Sequence, residues 1–363
     1  MRVGGKELSR KDIERHVGNL RQIGGVRPIE LVEGRARGVR CFQVETGSGL
    51  SFTVVADRGL DIADCSFKGL NLVYHAPGGI AHPSYHDPAG LEWLRVFFAG
   101  LLTTCGLTYF GSPGRDGTSD LGLHGRYSAL PAARVSDASR WESDEYVLSI
   151  TGCVEEAVLF GDRLRLTRSI TTHLGSKSIR ILDRVENFGA KPSPFTILYH
   201  VNPGFPLLCA ESTIHVSSTG VEPYDEHSAG GLREAGTVQA PDPDYREMNF
   251  LHTFHADEGG FARAGLVNRD LAGGLGLALA WRTDTLPYLS EWKMLAPGDY
   301  VVGLEPANTK IANRAELRAA GRLPMLAPGE SRAMELELTV LEGAREIDRF
   351  EEQVKRIRRA SAD

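Results

Sequence analysis

The chain has 363 residues, with 41 lysines and arginines against 47 aspartates and glutamates, and a formal net charge of -6. Hydrophobic residues make up 42% of it, which is enough for a packed core and excludes a disordered or fibrous protein. Because nucleic-acid binding requires clustered positive charge, the mild acidity argues against a nucleic-acid partner. At roughly 150 residues per domain, the length allows either two domains or one large β domain.

The N-terminal part predicts one short helix and no membrane anchor. Ser9 is suited to be an N-cap, and we expect a helix from Lys11 to about Gly18, where the glycine ends it. The most apolar stretch, Val96 to Leu107, contains glycines and threonines and is shorter than the roughly 18 residues of a membrane span. Since the N-terminus also has no apolar signal core, we expect a soluble, cytoplasmic protein without membrane contact.

From about residue 40 the apolar residues alternate with polar ones, the period of two that is typical of half-buried strands. Turns rich in glycine, proline and aspartate separate these segments and account for the 41 glycines. The sequence therefore predicts an all-β protein with antiparallel sheets. The predicted strands are Arg40–Glu45, Leu50–Val55, Tyr146–Val154, Leu164–Ile170, Ser178–Val185, Pro194–Tyr199, Thr213–Ser218, Gly274–Trp281, Tyr300–Leu304 and Ser331–Val340.

Two segments depart from the strand pattern. The period of Leu91–Leu102 leaves open whether it is a strand or a short inserted helix. Arg345–Arg359 has helical spacing and predicts a surface helix packed on the sheets, with a partner-binding helix as the alternative. No linker, low-complexity tract or internal repeat divides the chain, so we expect a single domain over residues 1–363 with its β core at about 38–340.

Four short segments carry polar groups where a plain core would not have them. Arg58 lies in a predicted tight turn. It is either paired with an aspartate of that turn or binds the hydroxyl groups of a sugar in a cleft. His124 lies between two glycines, which allow a close approach by the backbone or by a ligand. It is either a solvent-exposed loop residue or a ligand-binding residue. His200 and Asn202 share one strand face, which favours a polar cleft because such a face is costly to bury. Glu305 ends an apolar strand, where partial burial could tune it as a base.

Two further clusters have alternative interpretations. In Glu291-Trp292-Lys293, the indole could stack on a sugar ring while Lys293 reaches hydroxyls, or Trp292 could be a core residue between exposed charges. His75, His82 and His86 are close in sequence, but Pro83 argues against the helix that would bring His82 and His86 together, so we predict no metal site.

In their order along the chain, the segments around Arg58, His124, His200 and Glu305 resemble the aldose 1-epimerase (galactose mutarotase) family. The resemblance is closer to its less characterised bacterial branch, labelled as a domain of unknown function, and covers about residues 38–340. It implies a large antiparallel β-supersandwich, here with a short N-terminal helix and a C-terminal surface helix. It also implies an enzyme that interconverts the anomers of a free sugar without a metal or organic cofactor.

The resemblance also implies roles for single residues. His200 matches the general acid of the family and Glu305 its general base, while His124 and Arg58 match substrate-binding positions. The residues around His200 differ from those around the matching histidine of the family, because Tyr199 precedes His200 and Asn202-Pro203-Gly204 follows it. For the substrate-binding aspartate of the family, the open alternatives are Asp242, Asp244 and Asp257.

The expected function is thus an aldose 1-epimerase-like isomerase that acts on a small sugar. Two alternatives stay open: isomerisation or epimerisation of a modified sugar by the same acid–base pair, and sugar binding without catalysis. A homodimer is compatible with the sequence, and the identity, series and phosphorylation of the sugar are open. The expected catalytic residues are His200 and Glu305, and the expected substrate-binding residues are Arg58, His124, Asn202, Trp292 and Lys293.

Overall fold

The structure is a computed structural model, and it describes residues 1–3 and 5–359. The α-helices are α1 (Arg10–His16), α2 (Glu226–Gly230), α3 (Arg314–Ala319) and α4 (Ala344–Arg359). Short 3-10 helices occupy Leu20–Gln22, Gly34–Ala36, Pro83–Tyr85, Glu92–Arg95, Tyr127–Ala129, Leu232–Glu234 and Leu271–Gly273.

Strands form most of the regular structure. The first thirteen are β1 (Arg2–Val3), β2 (Lys6–Glu7), β3 (Gly25–Glu30), β4 (Arg40–Glu45), β5 (Leu50–Val55), β6 (Asp61–Phe67), β7 (Leu70–Asn71), β8 (Leu102–Leu107), β9 (Gly114–Asp116), β10 (Ser119–Leu121), β11 (Ala133–Asp137), β12 (Arg140–Glu142) and β13 (Glu145–Ala157). The others are β14 (Arg163–His173), β15 (Ser178–Asn187), β16 (Ser193–Pro194), β17 (Thr196–Val201), β18 (Thr213–Val216), β19 (Ser218–Pro223), β20 (Met248–Phe254), β21 (Phe261–Asn268), β22 (Leu275–Arg282), β23 (Tyr288–Ala296), β24 (Asp299–Ala307), β25 (Met325–Leu326) and β26 (Ser331–Glu342).

Two large antiparallel sheets carry the fold. The larger sheet has the strand order β19-β20-β23-β24-β17-β8-β6-β5-β4-β3, with β7 beside β6. The smaller sheet has the order β11-β13-β14-β15-β26-β22-β21-β18, with β12 beside β13. Three two-stranded pairs, β1–β2, β9–β10 and β16–β25, lie outside them. This arrangement confirms the predicted all-β antiparallel architecture.

The main hydrophobic core draws on both large sheets. Phe52 and Ile62 of the larger sheet and Ile181 and Leu338 of the smaller sheet belong to one buried cluster. Inward and outward residues alternate along each strand, so each sheet has one apolar face. The two apolar faces pack against each other.

A buried ionic bridge crosses this core. Arg168 of β14 contacts Asp61 of β6 and Asp183 of β15, each at 2.7 Å, and all three side chains are fully buried. The hydroxyl of Tyr199 on β17 donates to Asp183 at 2.7 Å. A buried charge is tolerated only when it is paired and hydrogen-bonded, and this network satisfies both conditions.

The helices at the two ends follow the sequence expectations. α1 begins one residue earlier than expected and ends at His16, with Val17 as its C-cap in place of Gly18. Ser9 caps its start by accepting from the backbone N–H of Asp12, while the Asp12 carboxylate accepts from the N–H of Ser9. α4 packs Ile347, Phe350 and Val354 against the smaller sheet. Among residues 1–3 and 5–359, no helix has the length and apolar character needed to cross a membrane.

Candidate active site

The centre of the site is a histidine and a glutamate on neighbouring strands of the larger sheet. The register of β17 and β24 pairs Leu198 with Ala307 and Val201 with Leu304, which sets His200 directly opposite Glu305. Nε2 of His200 lies 3.1 Å from Oε1 of Glu305, with only 6% and 3% of the side chains exposed. These atoms are close without hydrogen-bond alignment, and Oε1 has no other partner among the described residues.

Gly303 makes room for this pair. A Cβ atom at position 303 would overlap Oε1 of Glu305 and lie 3.1 Å from Cε1 of His200. Gly303 is part of the interior of β24, where glycine weakens a strand and often marks a close approach by another group. The missing side chain is therefore what allows the carboxyl group to lie beside the imidazole.

His124 approaches the pair from a loop. Its backbone has φ 57, a conformation that is uncommon outside glycine and is found in strained functional loops. The backbone is held by hydrogen bonds to Gly111 and from Gly106. The ring is 6.0 Å from that of His200, and its Nδ1 is buried without a partner in the described part of the chain. The residue as a whole is half-buried.

Aromatic rings surround the two histidines. The ring centroids of Phe97 and Trp292 each lie 5.4 Å from that of His200. Trp93 stacks on Phe97 at 4.4 Å and contacts His124 at 4.8 Å. Flat aromatic surfaces beside hydrogen-bonding groups suit the apolar face and the hydroxyl groups of a sugar ring.

Burial shifts the pKa of all three central groups. Burial, assisted by the negative charge of Glu247, raises the pKa of Glu305 to about 8. Burial lowers the pKa of His200 to about 3, and His124 contributes to this shift. Burial likewise lowers the pKa of His124 to about 4. At neutral pH, Glu305 is therefore protonated and both imidazoles are neutral.

The pair opens into a cleft of about 790 Å³. This volume lies in the range of small-molecule sites. Carboxylates outnumber cations on its walls, since Arg246 is the one arginine or lysine among the lining residues that the structure describes. The charged lining residues are Asp225, Arg246, Glu247, Asp299 and Glu305.

Arg58 does not lie in this cleft. Its side chain is fully buried and donates to the backbone carbonyls of Ser128, Ala81 and Val96 at 2.6, 2.9 and 2.8 Å. Burial lowers the pKa of Arg58 to about 10, so it stays charged at neutral pH. The structure therefore gives Arg58 a different place from the expected contact with hydroxyl groups: it ties together loops behind the cleft wall.

Trp292 and Lys293 lie on opposite faces of β23. Trp292 lines the cleft, whereas Lys293 is buried on the other face. The Lys293 ammonium donates to the carbonyls of Glu234 and Thr237 at 2.8 and 2.7 Å. The structure thus separates the two neighbours, because successive side chains of a strand point in opposite directions, and leaves Lys293 away from the expected substrate contact.

Asn202 lies behind His200 and does not form part of the cleft wall. It is fully buried, and its Nδ2 donates to the backbone carbonyl of His200 at 2.8 Å. This contact supports the strand that carries the histidine. The structure therefore places Asn202 outside the cleft lining, where the sequence analysis expected a substrate contact.

The aspartates left open as substrate-binding residues are all outside the cleft lining. Asp257, for example, holds Arg263 at 2.7 Å. A carboxylate missed by the sequence analysis, Glu247, lines the cleft instead, and so do Trp93 and Phe97 of the ambiguous segment. Trp93 lies in the 3-10 helix Glu92–Arg95, and Phe97 follows it by two residues.

The histidines near residue 80 have separate surroundings. His75 is within 3.3 Å of Oδ1 of Asn71, and Nδ1 of His82 is within 2.8 Å of the Ser84 hydroxyl. Within the part of the chain that the structure describes, no three His, Cys, Asp or Glu side chains are grouped to hold a metal ion.

Comparison with known families identifies a match over most of the chain. A family model described as a domain of unknown function, DUF4432, matches residues 36–340. This segment contains His124, His200 and Glu305. No curated protein matches the sequence significantly.

Solved structures share the fold. A protein from Klebsiella pneumoniae, provisionally named an aldose 1-epimerase, is 25% identical and has a TM-score of 0.86 over 92% of this chain and 87% of its own. A galactose mutarotase-like protein from Clostridium acetobutylicum is 13% identical, with a TM-score of 0.63 over 89% of this chain and 100% of its own. A galactose 1-epimerase from Lactobacillus acidophilus is 12% identical, with a TM-score of 0.55 over 88% and 100%. The last two show similarity of fold alone.

Proposed function

We propose that this chain, which belongs to the DUF4432 family of domains of unknown function, is an isomerase that interconverts the anomers of a free, uncharged monosaccharide. The observation that carries the proposal is the 3.1 Å separation of Nε2 of His200 and Oε1 of Glu305 at the base of an aromatic-lined cleft. The ring oxygen and the anomeric oxygen of a sugar share one carbon atom. The acid and the base that serve them must therefore lie close together.

The proposed reaction moves two protons. One group protonates the ring oxygen, the bond between that oxygen and the anomeric carbon breaks, and the other group takes the proton of the anomeric hydroxyl, which leaves the open-chain aldehyde. Rotation about the adjacent carbon–carbon bond and reversal of both transfers give the other anomer. Positioned acid and base groups of this kind contribute about 10²–10⁴-fold in rate.

The pKa directions favour an assignment of roles opposite to the one implied by the family resemblance. A raised pKa leaves the proton on Glu305, and a lowered pKa leaves His200 able to accept one. We therefore assign Glu305 as the first proton donor and Nε2 of His200 as the acceptor. The pair holds one proton in total and regains its starting state when the ring closes.

The charge of the cleft supports an uncharged substrate. Three further carboxylates, Asp225, Glu247 and Asp299, line it beside Glu305, against one arginine. A phosphate or carboxylate group on the sugar would be repelled by this field. We expect neutral aldoses to be converted and the corresponding sugar phosphates to be poor substrates.

The test follows the anomers of freshly dissolved aldoses by ¹H NMR. The wild-type protein should speed the exchange above the buffer rate, while Glu305→Gln should lower the enzymatic rate by at least about 10²-fold. Glu337→Gln, a control on the exposed face of the smaller sheet, should keep full activity. Full activity of Glu305→Gln on a converted sugar would contradict the role of this residue.

The same samples separate the alternatives. Ring opening leaves every carbon-bound hydrogen in place, so no deuterium should enter the sugar in ²H₂O. Exchange at the carbon next to the aldehyde would indicate isomerisation through an enediol. Sugar binding that survives loss of both His200 and Glu305, without faster anomer exchange, would indicate a binding protein.

A further inference from the structure

Glu247 stands at the cleft wall, just before β20, and is exposed to solvent. Its Oε2 accepts a hydrogen bond of 3.0 Å from Nε1 of Trp292. Trp292 in turn meets His200 edge-on, with ring centroids 5.4 Å apart. The carboxylate of Glu247 is thus connected to the His200–Glu305 pair through one indole ring.

We propose that Glu247 is a positioning residue, which fixes the indole of Trp292 against His200 and whose negative charge keeps the shared proton on the His200–Glu305 pair. The inference rests on the proposed function, because the shared proton matters for catalysis only if the pair transfers it. Glu247 adds to burial in raising the pKa of Glu305, in agreement with this role. A negative charge near a carboxyl group disfavours its ionisation.

The other charged or titratable groups around the pair have different partners. Asp225 caps α2 by accepting from the N–H of Ser228, and Asp299 accepts from the hydroxyl of Tyr74. Burial raises the pKa of Cys105 well above its usual range, so this thiol is neutral. The remaining groups on the cleft side are His124, Tyr224, Tyr245 and Arg246. Glu247 differs from the other two carboxylates because its partner is a ring that touches His200.

The variants separate charge from hydrogen bonding. Glu247→Gln removes the charge and keeps an oxygen that can accept from Trp292, whereas Glu247→Ala removes both. Asp299→Asn is the matched control, since it removes a carboxylate charge from the same cleft without touching Trp292. Glu247 is exposed, so these changes should leave the fold intact.

The first measurement needs no sugar. The ¹³C resonance of the Glu305 carboxyl group, identified by its absence in Glu305→Gln, is followed against pH. Glu247→Gln should lower its midpoint by about 0.5 pH unit or more, as expected for a charge acting through a partly solvated path. Asp299→Asn should shift it by less than half as much. An unchanged midpoint in Glu247→Gln, or equal shifts in both variants, would overturn the charge role.

The second measurement follows the indole N–H of Trp292 by ¹⁵N NMR, identified by its loss in Trp292→Phe. Its position should be nearly retained in Glu247→Gln and displaced in Glu247→Ala. Equal displacement in both variants would overturn the positioning role. If no aldose is converted, the proposed function fails while both measurements stand. If the resonances do not respond, the role of Glu247 fails even where anomer exchange is fast.

Discussion

Gly303 and Glu305 occupy the same small space on β24: the carboxyl group of Glu305 lies where a side chain on residue 303 would begin. The same position is within 3.1 Å of the His200 ring. A strand normally alternates its faces, so residues 303 and 305 are neighbours on one face. The site therefore depends on a glycine that carries no chemistry.

Gly303→Ala should displace the Glu305 carboxyl group and lower the anomer exchange rate by about 10²-fold or more, because one of the two positioned groups is lost. Gly18→Ala is the control, since an added Cβ there meets no atom within 4 Å. Exchange rates by ¹H NMR and unfolding by circular dichroism check both variants. A Gly303→Ala protein with normal activity would show that the carboxyl position is not critical.

The rate of anomer exchange should depend on pH, because the His200–Glu305 pair must hold one proton. Between about pH 3 and 8 the His200–Glu305 pair holds one proton, and above about 8 the rate should fall tenfold per pH unit as Glu305 ionises. Below about pH 4 the histidines gain protons and the rate should fall again. Initial rates, corrected for the buffer reaction, give the profile. A rate that rises through pH 8 to 9 would contradict the shared-proton assignment.

The raised pKa of Glu305 also predicts how stability varies with pH. The group titrates near 4.5 when unfolded and near 8 when folded, so the folded state binds more protons between these values and loses stability as the pH rises. Glu305→Gln removes this dependence. The stability of Glu305→Gln minus that of the wild type should thus increase from pH 5 to pH 8.

Denaturant unfolding at several pH values measures this difference. Above about pH 8 the difference should level off, because Glu305 is ionised in both states. Glu337→Gln serves as the exposed control and should show no comparable increase. A difference that stays flat between pH 5 and 8 would mean that Glu305 is not protonated in the folded protein.

Arg58→Met should destabilise the protein by about 3 kcal/mol or more, since three buried carbonyl groups would lose their donor. Arg95→Met is the control, because 74% of its side chain is exposed and its ion pair with Glu92 should contribute about 0–1 kcal/mol. Chemical denaturation compares the two. Equal, small effects would show that Arg58 does not tie the loops together.

Local sequence pattern was sufficient for ten strands, among them the long β13, β14, β15 and β26, and for both terminal helices, but it did not predict others such as β3, β20 and β21. Residues 40–45 and 50–55 were expected as strands and form β4 and β5 with the same bounds. Trp292 and Lys293 show that residues adjacent in sequence do not have to belong to the same site. Both were expected to bind substrate, although a period of two separates their side chains, and the structure leaves only Trp292 in the cleft.

The residues that reach the cleft from distant segments could not be predicted from the local sequence pattern. Trp93 and Phe97 reach the cleft from a segment whose period is ambiguous and which forms a 3-10 helix at Glu92–Arg95, and Glu247 has no local signal beyond its charge. Arg58 was expected in the cleft because a turn arginine has donors to offer. Its donors are taken by three carbonyls from other loops, a fact that depends on packing alone.

The sequence by itself determined the period of the strands, the antiparallel class of the sheets and the order of the polar anchors, because these follow from local alternation and turn chemistry. The tertiary structure decided which of these polar residues lie next to each other. It placed His200 opposite Glu305 through strand register and buried both, and the loss of water raised the pKa of Glu305 and lowered that of His200. Register and burial are properties of packed chains, so no local pattern could supply them.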